Sequence, residues 1–319
     1  MDAPCYSVIV PMRQFRADEP VLASLRETLP ADARVEILVA EGNQPSLQRN
    51  RAMDYARGGI VLFLDNDCRL ATDFWTELDK AFSLPDVEIV GGPARLRSNA
   101  GAWEEIFHGL LTHPLIVGSV AARYAPRGSF RRANETELIL CNLAVKKAVF
   151  ARIGSFSGHL YPNEENEWLD RASAAGVGIY YQPSLQVFRP QRATFAAMAR
   201  MLVRNGMGRT RQFQVSGWHF TIHQILPLLL LAGVGGVIFL HLEIELVALW
   251  LVASVAIAFT CDPTLKMWQR FVAGLIAPLV PLTYIAGQTM GWIALLIPER
   301  PQASEVIVYD ERGRRKTPL

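Results

Sequence analysis

Cysteine is scarce: Cys5, Cys68, Cys141 and Cys261 are scattered over 319 residues. They form neither a C-x-x-C pair nor the framework of a small secreted protein, so they read as reduced thiols. Charge of one sign is also lacking. Lys and Arg number 32 against 30 Asp and Glu, a net +2, which leaves no electrostatic footprint for nucleic acid and excludes it as the expected partner. No glycine-rich phosphate loop of the Walker or dinucleotide type is present, and no internal repeat or low-complexity tract. The opening MDAPCYSVIVPMRQF has an apolar run too short for a signal-peptide core and no basic residue before it. The N-terminal part is therefore expected to face the cytoplasm.

Hydrophobic residues are plentiful, at 50% of the chain. The excess lies after Trp218, so the composition blends two different solvents. Before that point the pattern is α/β. YSVIVP at 6–11, VEILVA at 35–40 and IVLFLDND at 60–67 are short apolar runs, and helix-like stretches separate them at Pro20–Thr28 and 49–56. Strand, helix, strand, helix, strand at this spacing predicts a mostly parallel central sheet covered on both faces. Ligands of such sheets bind beyond the carboxyl ends of the strands. Farther on, ELILCNLAV at 137–145 and VGIYYQP at 177–183 read as strands. PNEENEWLDRASAAG at 162–176 reads as a helix, with Asn163 as its cap, acids in its first turn and Gly176 at its end.

Residues 194–214 carry Phe195, Met198 and Leu202 at helical spacing, with Arg200, Arg204, Arg209 and Arg211 between them. That composition suits an interfacial helix on anionic membrane lipids. Three apolar stretches follow, about 219–240, 244–261 and 271–297, each long enough for roughly 30 Å of hydrocarbon. The expected organisation is a catalytic domain at 1–192, a basic interfacial segment at 193–216, a transmembrane region at 217–298 and a polar basic tail at 299–319. Its expected place is the cell inner membrane, multi-pass. Three crossings would put Arg312, Arg314, Arg315 and Lys316 opposite a cytoplasmic catalytic domain, against the positive-inside tendency. Pro278 and Pro281 offer a way out, by bending the last stretch.

The chemistry concentrates in two acidic motifs. In LFLDNDC at 62–68, strand alternation puts Asp65 and Asp67 on one side at a carboxyl end, where two carboxylates can share a divalent cation such as Mg2+ or Mn2+. The alternative is a solvated acidic turn. In PNEENEWLDR, Glu164 and Glu165 open a helix, where plain complementing of the helix dipole is the alternative to catalysis.

Taken in order and spacing, YSVIVP, VEILVAEG, QRNRAMDYARGGIVLFLDND and PNEENEWLDR over about residues 5–215 resemble the family 2 glycosyltransferases of the GT-A fold. The resemblance implies a nucleotide-diphosphate sugar donor. Pro11 would end the first strand beside the nucleotide, Glu41 would replace an aspartate on the base, and Arg49 and Asn50 match an A-R-N turn. Asp65 would contact the nucleotide's sugar and Asp67 the metal. Glu165 would be the catalytic base and Glu164 its neighbour. Arg189 stands where many members have a histidine, and it can neutralise phosphate bidentately. Asn142 falls on the acceptor side. The Gln-x-x-Arg-Trp motif of processive synthases is absent, so the expected reaction is inverting transfer of one sugar to a lipid-linked saccharide acceptor in cell-surface polysaccharide assembly. The rivals are transfer to a polyprenyl phosphate and a non-catalytic membrane scaffold that binds nucleotide sugar.

Overall fold

The computed structural model describes residues 5–217, 229, 232–233, 235–237, 239–295 and 305–316. Along the chain, β1 (Tyr6–Met12), α1 (Pro20–Thr28), β2 (Val35–Glu41), α2 (Pro45–Met53) and β3 (Ile60–Leu64) come first. Then follow β4 (Arg69–Leu70), α3 (Phe74–Phe82), β5 (Ile89–Gly91), β6 (Ala94–Leu96), α4 (Ala102–Leu111) and α5 (Pro114–Val117). Next are β7 (Arg131–Arg132), β8 (Asn142–Lys146), α6 (Lys147–Ile153), α7 (Glu164–Ala174), β9 (Ile179–Tyr181) and β10 (Val187–Arg189). The last elements are α8 (Phe195–Val215), α9 (Glu243–Thr260), α10 (Met267–Ile276), α11 (Leu279–Ala294) and β11 (Ile307–Tyr309). The chain divides into a sheet unit, Met1–Arg97 with Ser119–Pro190 and Pro301–Leu319, and a helical unit, Ser98–Gly118 with Gln191–Arg300.

The sheet unit is built on strands that are apolar on both faces. Every residue of β1 is buried. Its alternate side chains enter two different clusters: Val8 and Val10 meet Val39, Leu62 and Leu64, while Ile9 meets Leu38, Ala40 and Phe63. Period-two alternation with both faces covered is why these runs show no polar side in the sequence. Burial of each such side chain contributes about 1.5–3 kcal/mol.

The sheet has eight strands in the order β11-β2-β1-β3-β8-β5-β9-β7. It is mixed, which corrects the mostly parallel expectation. β1 runs parallel to β2 and β3, and β5 to β9, but β8 runs antiparallel to both β3 and β5, as do β11 to β2 and β7 to β9. The reason lies in where β8 begins. After the connection through residues 92–141, Asn142 starts opposite Leu64, the last residue of β3, and the chain can only run back. β8 is also shorter than ELILCNLAV suggests, because residues 140–141 are still a turn. A second sheet of three strands, β4-β10-β6, lies beyond.

Residues 305–316, expected within a polar tail, form an edge strand. Ile307, Val308 and Tyr309 pair with Glu41, Ala40 and Val39, and Val308 is buried in the same cluster as Leu38. Tyr309 packs on Phe15 with ring centroids 5.4 Å apart.

In the helical unit, α8 lies along α11 at glycine contact. A Cβ on Gly206 would come within 2.1 Å of the Tyr284 carbonyl oxygen, and one on Gly287 within 2.3 Å of that of Val203. Arg200 and Arg204 are exposed on α8. Arg209, expected on the same open basic face, is buried and donates to Gln212 at 2.9 Å, because close packing against α11 encloses that side of the helix. Among the described residues one helical stretch, Met267–Ala294, is long and apolar enough to cross a membrane, and Ile244–Thr260 is apolar but shorter. The expectation of three such stretches is thus met by one, and most of 219–240 lies outside the described residues.

Gly92 tests the packing behind the site. A Cβ there would meet the Leu185 carbonyl oxygen at 1.9 Å, an overlap that only backbone movement relieves. Gly92→Ala is expected to lower stability by at least the ~1–3 kcal/mol typical of overpacking, read as a fall in thermal midpoint. An unchanged midpoint would refute the close approach.

Candidate active site

β3 stops at Leu64, and Asp65, Asn66 and Asp67 lie in a turn closed by the Cys68 amide donating to the Asp65 carbonyl at 3.2 Å. Strand alternation therefore does not align the two aspartates. A guanidinium does. Arg189, the last residue of β10, donates to Asp65 Oδ2 at 3.2 Å and to Asp67 Oδ2 at 3.1 Å. The pairing of β10 with β4, Phe188 opposite Arg69, brings it there.

Arg49 reaches the other side of Asp65 from α2. It donates to Asp65 Oδ1 at 2.9 Å and to Glu164 Oε1 at 2.9 Å, with its own side chain 5% exposed. One continuous array results: Glu164, Arg49, Asp65, Arg189, Asp67. Both oxygens of Asp65 are engaged by arginine, whereas Asp67 meets Arg189 through one oxygen and keeps its side chain 33% exposed. Asn50, next to Arg49, fixes the loop that leads to α7, donating to the Phe156 carbonyl at 2.8 Å and accepting from the Phe156 amide at 3.1 Å.

The two glutamates of α7 stand in different surroundings. Glu164 is buried, and its Oε2, like Arg49 Nε, has no hydrogen-bond partner among the described residues. Burial, reinforced by the charge of Glu165, raises its pKa from 4.5 to about 8, against the opposing pull of Arg49. Glu165 is 14% exposed and faces Arg123 Nη1 at 3.7 Å. Arg123 closes a 3-10 turn and is itself fixed, donating to Asn166 Oδ1 at 2.5 Å, to the Thr136 carbonyl at 2.7 Å and to the Glu135 carbonyl. No motif marks this arginine, which sits in the glycine-punctuated stretch between the two acidic motifs and becomes visible only in the folded chain. Asn163 precedes α7 in a left-handed conformation. Its Oδ1 accepts from Asn166 Nδ2 at 2.8 Å and makes no side-chain cap to the backbone, unlike the capping role expected.

The remaining sequence candidates lie outside this array. Pro11 is buried in β1 opposite Ala40. Glu41 ends β2 and accepts from the Phe15 amide at 2.7 Å. Asn142 is fully buried, and its Nδ2 donates to the carbonyls of Leu185 at 2.7 Å and Pro93 at 3.4 Å while its Oδ1 has no partner among the described residues. It ties β8 to the loops on either side of the second sheet.

The sequence model described as Glycosyl transferase family 2 matches residues 18–150, the part that supplies Arg49, Asp65, Asp67 and Arg123. A curated relative, Glycosyltransferase AglE of Haloferax volcanii, is 25% identical over 182 residues, 55% of this chain and 54% of its own length. The chain thus spans about half the length of that relative. Both findings are matches to glycosyltransferases, the class of protein to which this chain is similar. Within that class, the matched segment at residues 18–150 is of the family 2 type. Among solved structures, the mannosyltransferase PcManGT of Pyrobaculum calidifontis, in complex with GDP-Man and Mn2+, aligns over 94% of this chain and 77% of its own at 14% identity and a TM-score of 0.47. TarS of S. aureus aligns over 66% and 44% at 12% identity and a TM-score of 0.43.

The raised pKa of Glu164 makes stability depend on pH with a definite sign. Between about 4.5 and about 8 the folded chain keeps a proton that the unfolded chain has lost, so this group's contribution falls as pH rises through that window. Glu164→Gln is expected to flatten the limb in thermal midpoints measured from pH 5 to 9. A limb of the same steepness in the variant would assign it to another group.

Proposed function

We propose that this enzyme moves one sugar, with inversion, from a nucleotide-diphosphate sugar to a lipid-linked saccharide at the cytoplasmic face of a membrane. The observation that carries the reading is the array Glu164–Arg49–Asp65–Arg189–Asp67 with Glu165 beside it. Inversion needs a carboxylate that takes the acceptor hydroxyl's proton as the oxygen attacks the anomeric carbon and the nucleoside diphosphate departs on the opposite side. Glu165 suits this role and Glu164 does not. Glu164 is buried, tied to Arg49 and biased towards its protonated form, while Glu165 keeps solvent access and is oriented by Arg123. Arg49, with Glu164 behind it, is a positioning residue that holds Asp65 for the nucleotide's sugar.

Charge counting bears on the metal. With Glu164 protonated, two guanidinium groups face two carboxylates and the array is neutral, so a diphosphate bound there still lacks compensating charge. The donor set fits a hard divalent cation, Mg2+ or Mn2+. Asp67 would hold it through Oδ1, which meets only the Cys68 thiol at 3.9 Å, since both oxygens of Asp65 already accept from arginine. When bound, the ion would neutralise diphosphate charge. Arg189 then orients both aspartates and can turn its guanidinium to phosphate. Near the carboxyl ends of β1 and β2, Pro11 remains the residue proposed beside the nucleotide and Glu41 the proposed contact to its base, and Asn142 supports the acceptor side.

The helical unit supports this acceptor class. Exposed Arg200 and Arg204 on α8 suit a lipid diphosphate, and the apolar side chains left open on α9 and α10, among them Val252, Phe259, Trp268 and Phe271, suit lipid. One sugar per encounter accords with the missing Gln-x-x-Arg-Trp motif.

Glu165→Gln is expected to retain donor binding and lose about 10²–10⁴-fold in single-turnover transfer, the usual worth of general-base assistance. Normal transfer by this variant would move the base elsewhere. Asp67→Asn is expected to lose most turnover and to shift the divalent-metal titration to higher concentration. Full activity of the unsubstituted enzyme in excess chelator would exclude a metal at Asp67.

A further inference from the structure

Met267–Ala294 is the stretch that length and apolarity offer as a membrane span, yet its contacts and its covalent tethers both argue against a crossing. The stretch is two helices, α10 and α11, broken at Ala277–Pro278. At its start, Gln269 is 1% exposed and donates to Glu105 Oε2 of α4 at 2.5 Å. A Cβ on Gly109 of α4 would stand 2.8 Å from Leu265 and 3.2 Å from Cys261. The turn between α9 and α10 is therefore fastened to α4. Glu105 is only eight residues beyond Arg97, the last residue of the preceding sheet-unit segment. Part of that distance is helix, so the tether reaches on the order of 20 Å, too little to put the turn across a bilayer.

The other end is tethered as well. Ala294 closes α11 and Ile307 already pairs with Glu41 in the large sheet. The eleven steps from Ala294 to Glu305 rise only ~17 Å as the helix that lipid-exposed backbone must form, short of the roughly 30 Å of hydrocarbon. Between these ends, α11 runs beside α8 in the same direction, Gly287 against Val203 and Gly291 against Thr210. Thr210 donates to the Gln288 carbonyl at 3.0 Å. α8 brings exposed Arg200 and Arg204 and buried Arg209 and Gln212, side chains that suit an interface and are costly in hydrocarbon.

We propose that Met267–Ala294 does not cross the membrane but lies in its interface on the side of the sheet unit, α10 and α11 resting with α8 at the headgroup level. Met267, Trp268, Phe271, Leu275, Met290 and Ile293, all at least half exposed, are the side chains that enter lipid. It follows that the chain between Pro190 and Glu305 makes an even number of complete crossings, because both ends belong to one sheet. The inference rests on the membrane reading given above.

Cys5, exposed in the sheet unit, supplies the reference for a test on the full chain. Thr264→Cys, in the α9–α10 turn, and Glu311→Cys, beyond β11, are labelled with an impermeant maleimide in sealed inside-out and right-side-out vesicles, with Cys5 as the only other exposed native thiol. The expected result is labelling of Cys5, Thr264→Cys and Glu311→Cys from the same side. Labelling of either introduced thiol from the side opposite Cys5 overturns the proposal. Recovery of the untreated protein in the soluble fraction, with no sedimentation on vesicles of anionic lipid, overturns the membrane reading itself, and the interfacial placement with it, an outcome distinct from wrong-sided labelling of a protein that stays bound.

Discussion

The pairing of Arg49 with Glu164 and Asp65 is the contact on which the site depends. A guanidinium with 5% of its side chain exposed is a costly thing to enclose, and its charge is tolerable only because carboxylates from two distant parts of the chain meet it with charge-assisted hydrogen bonds. Removing one partner of such a set typically costs about 3–5 kcal/mol, since the other is left buried and uncompensated. The contact therefore couples α2, the turn after β3 and the start of α7, so that the nucleotide side of the site and its proposed base form together.

That coupling divides the acidic pair of α7. Glu164 is drawn inward to Arg49 and, desolvated there, favours its proton. Glu165 is turned outward to Arg123, which three protein acceptors hold in place. Two adjacent glutamates with the same intrinsic chemistry thus acquire different work from their surroundings alone. In the proposed mechanism the acid tied to Arg49 positions Asp65, and the more exposed acid beside Arg123 is the one that meets the acceptor hydroxyl.

The helical unit shows the same dependence on context. Its composition suggests membrane spans, and its sequence sits inside the sheet unit as an insertion, leaving after Pro190 and returning before β11. Once β11 pairs with β2, the apolar stretch nearest the C-terminus is bound by chain length, and hydropathy no longer decides its path. In the proposed interfacial placement the basic residues at 312–316 share the side of the sheet, and the conflict with the positive-inside tendency that three crossings would create does not arise.

The sequence by itself determined the α/β class, the buried strands β1, β2 and β3, and the position of both acidic motifs, because period-two apolar runs and acids at strand ends are local signals. It also pointed to the resemblance to the family 2 glycosyltransferases, through the order and spacing of those motifs, and the family match at residues 18–150 agrees with it. Only the tertiary structure decided that β8 runs backward between β3 and β5, that Arg123 faces Glu165, that Arg189 gathers Asp65 and Asp67, and that residues 307–309 belong to the sheet. Strand direction is set by where a long connection ends, and these ion pairs join residues 42 to 124 positions apart. Neither leaves a periodic trace in the local sequence, so neither could be read before the chain was folded.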